Sequence, residues 1–335
     1  MTDMLAQIRD LPTQLGWAVE ADAPAIGTHS EVLCVGMGGS GISGDYASAI
    51  AQPFGTRVSV HKGYGPIAPW AIRLRPLVIA VSYSGNTEET LDFAVSARDT
   101  GLPVAAVTTG GRLGEMAREE KWPTVEVPAG LQPRAALGYL LGAVLKVLEG
   151  AHAIDDQRLA LVEAAEWAGR AVEEGSETWG RAAEVAAGLS GRIPIIYGGG
   201  PISGVVAQRW KTQINENAKL PAWWSVLPEL DHNEITGWET MPEVTKDLLG
   251  IVALTDRSDH DRVASRIDFT RSLTSDAVPW VAEVASAGTF PLTRLVSLTV
   301  TGDLVSLMLA EHAGVDPLPV NTIEKLKKLL AKEDE

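Results

Sequence analysis

The sequence predicts an α/β protein of two units, each a parallel five-stranded sheet with helices on both faces, a three-layer sandwich. Three observations point there. Short runs rich in Val and Ile alternate with helical stretches through the first half of the chain. An apolar run that ends in glycines occurs twice, as VLCVGMGGSG at 32–41 and as PIIYGGGPISG at 194–204. With 335 residues, 45% of them hydrophobic, the chain has material for two cores of ordinary size. The expected units are 1–152 and 153–335.

EVLCVG (31–36), RVSVH (57–61), LVIAVS (77–82), PVAAVTT (103–109) and TVEVP (124–128) read as strands, bounded by Gly, Pro or Ser. Between them GISGDYASAIAQ, TEETLDFAVSARDTG and RLGEMAREE read as helices. Such alternation implies parallel strands joined by crossover helices. PRAALGYLLGAVLKVLEG (133–150) is a longer helix with Pro near its start and Gly at its end. Residues 155–190, rich in Ala and Glu, read as linking helices packed on the sheets. The strand–glycine pattern then returns at 192–204, followed by the helix VVAQRWKTQINENAK. LLGIVALT (248–255) and AVPWVAEV (277–284) are strands, LTRLVSLTVTGDLVSLMLAEHAG (292–314) is a long helix, and TIEKLKKLLAKE (322–333) is a basic amphipathic helix. The two glycine-ended runs are expected to be corresponding positions of a duplicated unit.

Composition narrows the function classes. A formal net charge of −15 opposes nucleic acid or an anionic membrane as partner, but not a small phosphorylated ligand held by local donors. The single cysteine, Cys34, lies in an apolar run and reads as a small buried hydrophobe in a strand. It has no disulfide partner and supports no cysteine zinc site, which fits a reducing, cytoplasmic setting. MTDMLAQIRDLP shows no basic-then-apolar leader pattern, and no run reaches the ~20 apolar residues of a membrane span.

Gly36, Gly38 and Gly41 fit G-x-G-x-x-G, which raises a dinucleotide site. That site needs an acid about 20 positions on, at the end of the second strand. RVSVHKGYG offers His61 and Lys62 there instead; Lys62 would suit only a 2′-phosphate. The third strand is more informative. It runs into VSYSGNTEETL (81–91), where Ser82, Ser84 and Thr87 gather hydroxyls at a strand-to-helix turn. A helix N-terminus has free N–H groups and partial positive charge, so these hydroxyls complete a phosphate cradle. Helix capping is the plain alternative for any one of them.

VSYSGNTEETL resembles the phosphate-binding segment of sugar isomerase (SIS) domains. GMGGSGISGD, GLQPRAALGYL and NENAKLPAWWSVLPELDHNEITGW resemble a narrower family, the bifunctional phosphoglucose/phosphomannose isomerases, from about residue 30 onward. The resemblance implies two SIS domains of flavodoxin-like, three-layer plan and a cofactor-free and metal-free isomerase acting on sugar phosphates. It also implies a homodimer with active sites at the subunit interface. It places the phosphate on Gly39, Ser40, Ser82, Ser84 and Thr87. Aldose–ketose isomerisation needs ring opening, a base that moves a proton between C2 and C1, and a positive neighbour for the developing oxyanion. By resemblance Glu216 in QINENAKLP is the base and Arg134 in LQPRAAL stabilises the enediolate. His232 in ELDHNEITGW opens the ring, often from the neighbouring subunit. A catalytic lysine is implied on the last helix; among Lys325, Lys327 and Lys328, spacing from GVDP points to Lys327. Val320 stands where bifunctional members tend to have a small or hydroxyl residue, which bears on the glucose–mannose balance. His29, His61, His152, His260 and His312 show no metal-ligand spacing. Trp223 and Trp224, beside the catalytic segment, suit an interface or a pocket wall. Two other classes stay open: another SIS isomerase, and a sugar-phosphate-binding protein without catalysis.

Overall fold

The computed structural model describes residues 2–330. Its first sheet holds β1 (Glu31–Val35), β2 (Arg57–His61), β3 (Leu77–Ser82), β4 (Val104–Thr108) and β5 (Thr124–Glu126). All are parallel, in the order β2-β1-β3-β4-β5. β3 and β4 are buried along their whole length, as strands covered on both faces must be. Cys34 lies in β1 between Val60 and Ile79, and burial pushes its thiol up to about 12. The sheet is covered by α3 (Gly38–Ala51), α4 (Pro69–Leu74), α5 (Glu88–Asp99), α6 (Gly111–Glu119) and α7 (Leu137–Gly150). Two helices that the sequence reading passes over, α1 (Thr2–Arg9) and α2 (Leu11–Glu20), precede them, and α2 packs on α7. The α2–α7 approach needs glycine: a Cβ on Gly142 would lie 2.3 Å from that of Ala18.

α8 (Arg158–Ala171) and α9 (Glu177–Leu189) are the expected linking helices. α8 packs on α2, and α8 and α9 both pack on α13 (Pro291–His312). The second sheet holds β6 (Ile193–Gly198), β7 (Trp223–Val226), β8 (Leu249–Thr255) and β9 (Trp280–Ala285), parallel in the order β7-β6-β8-β9. Its helices include α10 (Ser203–Gln213), α11 (Pro242–Leu248) and α12 (Asp261–Thr274).

The two glycine-ended strands do correspond. β1 and β6 each lie between the strand that follows them in the chain and the next one, and each leads into a helix. The expectation of five strands in each sheet is corrected, since among the described residues the second has four. In the first half, β4 ends at Thr108 and α7 begins at Leu137, with α6 and β5 between. In the second, β9 ends at Ala285 and α13 begins at Pro291, which leaves no chain for another helix and strand.

The long helix α13 also corrects the reading of membrane-length segments. It is long and apolar enough to span a bilayer, yet 94% of that stretch is buried inside the protein. Its two buried charges are paired, Arg294 with Asp256 and Asp303 with Arg209. Gly302 makes room for Trp210, whose Nε1 donates to the carbonyl of Leu298 at 2.8 Å. The last helix, α14 (Asn321–Leu330), is exposed along its whole length; the expected end of that helix, 331–333, lies outside the described residues.

Candidate active site

The turn from β1 into α3 is packed so closely that only glycine fits. A Cβ on Gly36 would lie 2.8 Å from the Val81 carbonyl oxygen, and one on Gly41 would lie 2.6 Å from the Gly36 carbonyl oxygen. This closeness brings the Ser40 hydroxyl under the end of β3, where it accepts from the Tyr83 amide at 3.2 Å. Beside it the β3–α5 turn gathers the other hydroxyls. Ser82 and Thr87 share a hydrogen bond of 2.9 Å. Thr87 is the N-cap of α5, but its hydroxyl makes no capping bond. The first turn of α5 therefore has no side-chain cap at Thr87, and its N–H groups and dipole face the cradle. Ser84 is exposed and accepts from the Asn86 amide at 3.2 Å. Gly85, at φ 69°, turns the chain against the Gly110 carbonyl, where a Cβ would sit 1.8 Å away. Gly39, Ser40, Ser82, Ser84 and Thr87 thus lie on two adjoining strand-to-helix turns. Lys62, the residue a 2′-phosphate would need, is paired with Asp45 of α3.

Gly39 joins the cradle to a second cluster. A Cβ there would lie 2.7 Å from the Pro133 carbonyl oxygen and 3.3 Å from the Cα of Arg134. Arg134 follows in the short turn Pro133–Ala135 that leads into α7, and it is 4% exposed. Its Nε donates to Asn217 Oδ1 at 2.8 Å, and its Nη2 to the carbonyls of Pro317 and Leu318 at 2.8 and 2.9 Å. Its Nη1 stands 3.5 Å from Glu216 Oε2. Burial lowers the Arg134 pKa, and the Glu216 charge opposes that shift.

Glu216 owes its place to an irregularity. After α10 the helix widens into a π turn, Ile214–Ala218, and ends at Lys219 in the left-handed region, φ 57°. A π turn re-aims the side chains it carries, and such turns recur at functional sites. Lys219 reaches back to the Glu216 carbonyl at 2.6 Å and across to Pro317 at 3.0 Å. Its pKa is lowered by burial and by the Arg134 charge. The sequence reading names Lys219 only as a flank; its position directly after the helical run is the signal for this role.

The floor of the cluster is a buried polar network. Arg209 Nη2 donates to Asp303 at 2.7 Å and to the Arg134 carbonyl at 3.1 Å. Gln213 donates to the other Asp303 oxygen at 2.9 Å, and Asn217 to Ser306 at 2.9 Å. Burial pulls the Arg209 pKa down, but Asp303 outweighs it and the net shift is upward.

Two residues from the sequence reading are not among the bonding partners of Arg134 and Glu216. His232 is exposed at the end of the short turn Glu229–His232 and makes none of the bonds of the Arg134–Glu216 cluster. Lys327 is exposed on α14, as are Lys325, Lys328 and the apolar side chains of Ile323, Leu326, Leu329 and Leu330. Two cavities of about 620 and 700 Å³ are lined by other residues. Among the described residues, no three His, Cys, Asp or Glu side chains form a metal-ligating group.

The second glycine loop is filled from within. Ser203 Oγ accepts from the Gly199 and Gly200 amides at 2.8 and 2.9 Å and donates to Asp259, 3.2 Å away. A Cβ on Gly200 would lie 2.0 Å from an Asp259 oxygen. The protein's own carboxylate occupies the place that corresponds to the open cradle of the first sheet.

Two α/β sheets with a hydroxyl-lined helix N-terminus define a sugar isomerase (SIS) architecture. The family model of the bacterial phospho-glucose isomerase C-terminal SIS domain matches residues 180–330. The chain is 38% identical over 342 residues to the bifunctional phosphoglucose/phosphomannose isomerase of Caldicellulosiruptor bescii, covering 98% of this chain and 99% of that one. It is 36% identical to the protein of the same name from Aquifex aeolicus, with 99% of each covered. Among solved structures, the C-terminal domain of glucosamine-fructose-6-phosphate aminotransferase from Francisella tularensis shares the fold. The TM-score is 0.68 at 16% identity, covering 93% of this chain and 96% of that one. The chain belongs to the bifunctional phosphoglucose/phosphomannose isomerase family.

Proposed function

We propose that the protein interconverts glucose 6-phosphate and mannose 6-phosphate with fructose 6-phosphate through a cis-enediol, in a homodimer whose active sites lie at the subunit interface. The observation that carries this is the 3.5 Å Arg134–Glu216 pair set against the glycine loop. It supports reading Glu216 as a carboxylate base and Arg134 as a buried cation beside a cradle for a phosphate. Residues 1–152 supply the cradle and Arg134, and residues 153–335 supply Glu216.

In this reading the sugar phosphate anion binds Ser40, Ser82, Ser84, Thr87 and the Gly39 backbone at the N-terminus of α5. Glu216 takes the proton from C2 and returns it to C1. The Arg134 guanidinium faces the charge that develops on O1 and O2. Ring opening moves a proton between O1 and O5, a task for His232 with Lys327. Both side chains are exposed, and neither is among the bonding partners of Arg134 and Glu216 in their own chain. A second copy is the source that would complete the site. The exposed apolar stripe of α14 supports such an assembly.

The test is the rate of fructose 6-phosphate formation from glucose 6-phosphate and from mannose 6-phosphate, side by side in EDTA without added cofactor. Comparable turnover of both is expected. Turnover of one alone would point to Val320 as the selector, and Val320→Thr should then move the ratio of the two rates toward one. No turnover of either would overturn the proposal.

A further inference from the structure

His232 ends the first of two short 3-10 turns between β7 and α11, Glu229–His232 and Glu234–Glu239, and its neighbours are held on both sides. Glu234, two residues on, accepts two hydroxyl hydrogen bonds, one on each carboxylate oxygen. Tyr197 donates to Oε1 and Ser225 to Oε2. These donors are register partners on β6 and β7, so the acceptor is fixed against the sheet from two adjacent strands. Tyr197 is fully buried; burial first, and then the Glu234 charge, push its hydroxyl pKa up, so it stays a donor. On the other side of His232, Asp231 accepts from Arg266 Nη1 and Thr270 Oγ1 of α12, both at 2.8 Å. Leu230 is buried and Trp238 packs on the same core. Asn233 Oδ1 accepts from the Glu234 amide at 2.6 Å, which closes the turn just past the histidine. His232 is therefore an exposed side chain between two anchored acids.

A solvent-facing loop that only connects a strand to a helix needs no such clamp, and its usual state is mobile. Proton transfer to a ring oxygen does need one, since a misplacement of about 1 Å costs on the order of 10²-fold in rate. We propose that Glu234 is a positioning residue for His232, acting on the ring-opening step through the Tyr197–Glu234–Ser225 clamp. The proposal rests on the reading of His232 given above.

A double-mutant cycle tests it in the full-length protein, with glucose 6-phosphate as substrate. Glu234→Ala removes both bonds, each to a charged acceptor, and is expected to lower kcat by about 30- to 100-fold. KM should stay within about twofold of wild type, because the phosphate cradle is on the other sheet. Glu234→Gln keeps an acceptor for Tyr197 and offers Ser225 a donor, so it should restore kcat to within about threefold. In a His232→Ala background, Glu234→Ala should cost nothing further, because its effect passes through the missing imidazole. Tyr197→Phe keeps the buried ring and removes one bond. It should show a smaller loss, on the order of fivefold, with the same dependence on His232, and it serves if Glu234→Ala does not fold. Losses that multiply in the double variants, or wild-type kcat in both Glu234→Ala and Tyr197→Phe, would overturn the positioning role alone. A wild-type rate in His232→Ala would overturn the role of His232 and this proposal with it.

Discussion

The buried ion pair beneath the π turn gives the sharpest stability prediction. Arg209 and Asp303 are 2% and 4% exposed and meet at 2.7 Å. Asp303→Ala would leave the Arg209 guanidinium buried without its counter-charge. Breaking a buried pair from one side costs about 3–5 kcal/mol. Gln213 loses its acceptor as well, worth about 1 kcal/mol. The sum, about 4–6 kcal/mol, is a large part of the 5–15 kcal/mol that typically holds a protein folded. With an m-value near 3 kcal/mol/M, the urea midpoint should fall by roughly 1.5 M. Tryptophan fluorescence reads this directly, since the buried Trp210 directly follows Arg209 in α10. Replacing both partners by apolar side chains, Arg209→Met with Asp303→Leu, removes the stranded charge and should recover much of the loss. A loss below about 1 kcal/mol for Asp303→Ala, or a double variant no more stable than the single one, would refute this account of the network.

Two further perturbations follow from the same geometry. Glu163 of α8 caps α13 from outside, accepting from the Thr289 and Phe290 amides at 3.0 Å each and from the Thr293 hydroxyl at 2.6 Å. Burial raises its pKa, but these hydrogen bonds outweigh it and hold the carboxyl at about 2. A depressed carboxylate stabilises the fold above its unfolded pKa of ~4.3 and loses that contribution as pH falls toward 2. Discounted for solvent screening at this half-buried group, Glu163→Gln should cost about 1 kcal/mol at pH 7 and nothing near pH 2. Equal losses at both pH values would contradict the assignment. Gly39→Ala tests the junction of the glycine loop with the Arg134 turn. Its Cβ would sit 2.7 Å from the backbone at Pro133, so the Arg134 turn must shift. A fall in kcat of about 10²-fold is expected, with little change in the melting temperature. An unchanged kcat would separate the glycine loop from the chemistry.

How much could be read in advance depended on the kind of signal each element carries. Buried parallel strands are near-continuous apolar runs, so LVIAVS and VAAVT stand out, and their boundaries fell within a residue or two. β7 does not stand out. WWSV is four residues long at a sheet edge, and Trp223 is exposed, so neither alternation nor a buried run marks it. A fifth strand in the second sheet follows only if the duplication is complete, and the short interval from Ala285 to Pro291 excludes it. The gathering of hydroxyls at the β3–α5 turn is legible because turn chemistry is local. The meeting of Arg134 with Glu216 was not, since no spacing rule joins residues in different sheets; only the family resemblance pointed to both. The π turn that aims Glu216 was hidden altogether, being a change of backbone bonding within a sequence that reads as ordinary helix. The filling of the second loop by Asp259 was equally unreadable, because PIIYGGGPISG looks as open as its counterpart until the third strand of that sheet is seen to end in carboxylates.

The central claim is that Glu216 moves the proton between C2 and C1, and its most direct test is the Glu216→Gln variant. The amide keeps the shape of the side chain and its place beside Arg134 but cannot accept the proton. The account predicts a fall in kcat of about 10³-fold on glucose 6-phosphate, with sugar-phosphate affinity within about threefold of wild type. A kcat within tenfold of wild type would contradict it and take the base out of the Arg134 cluster.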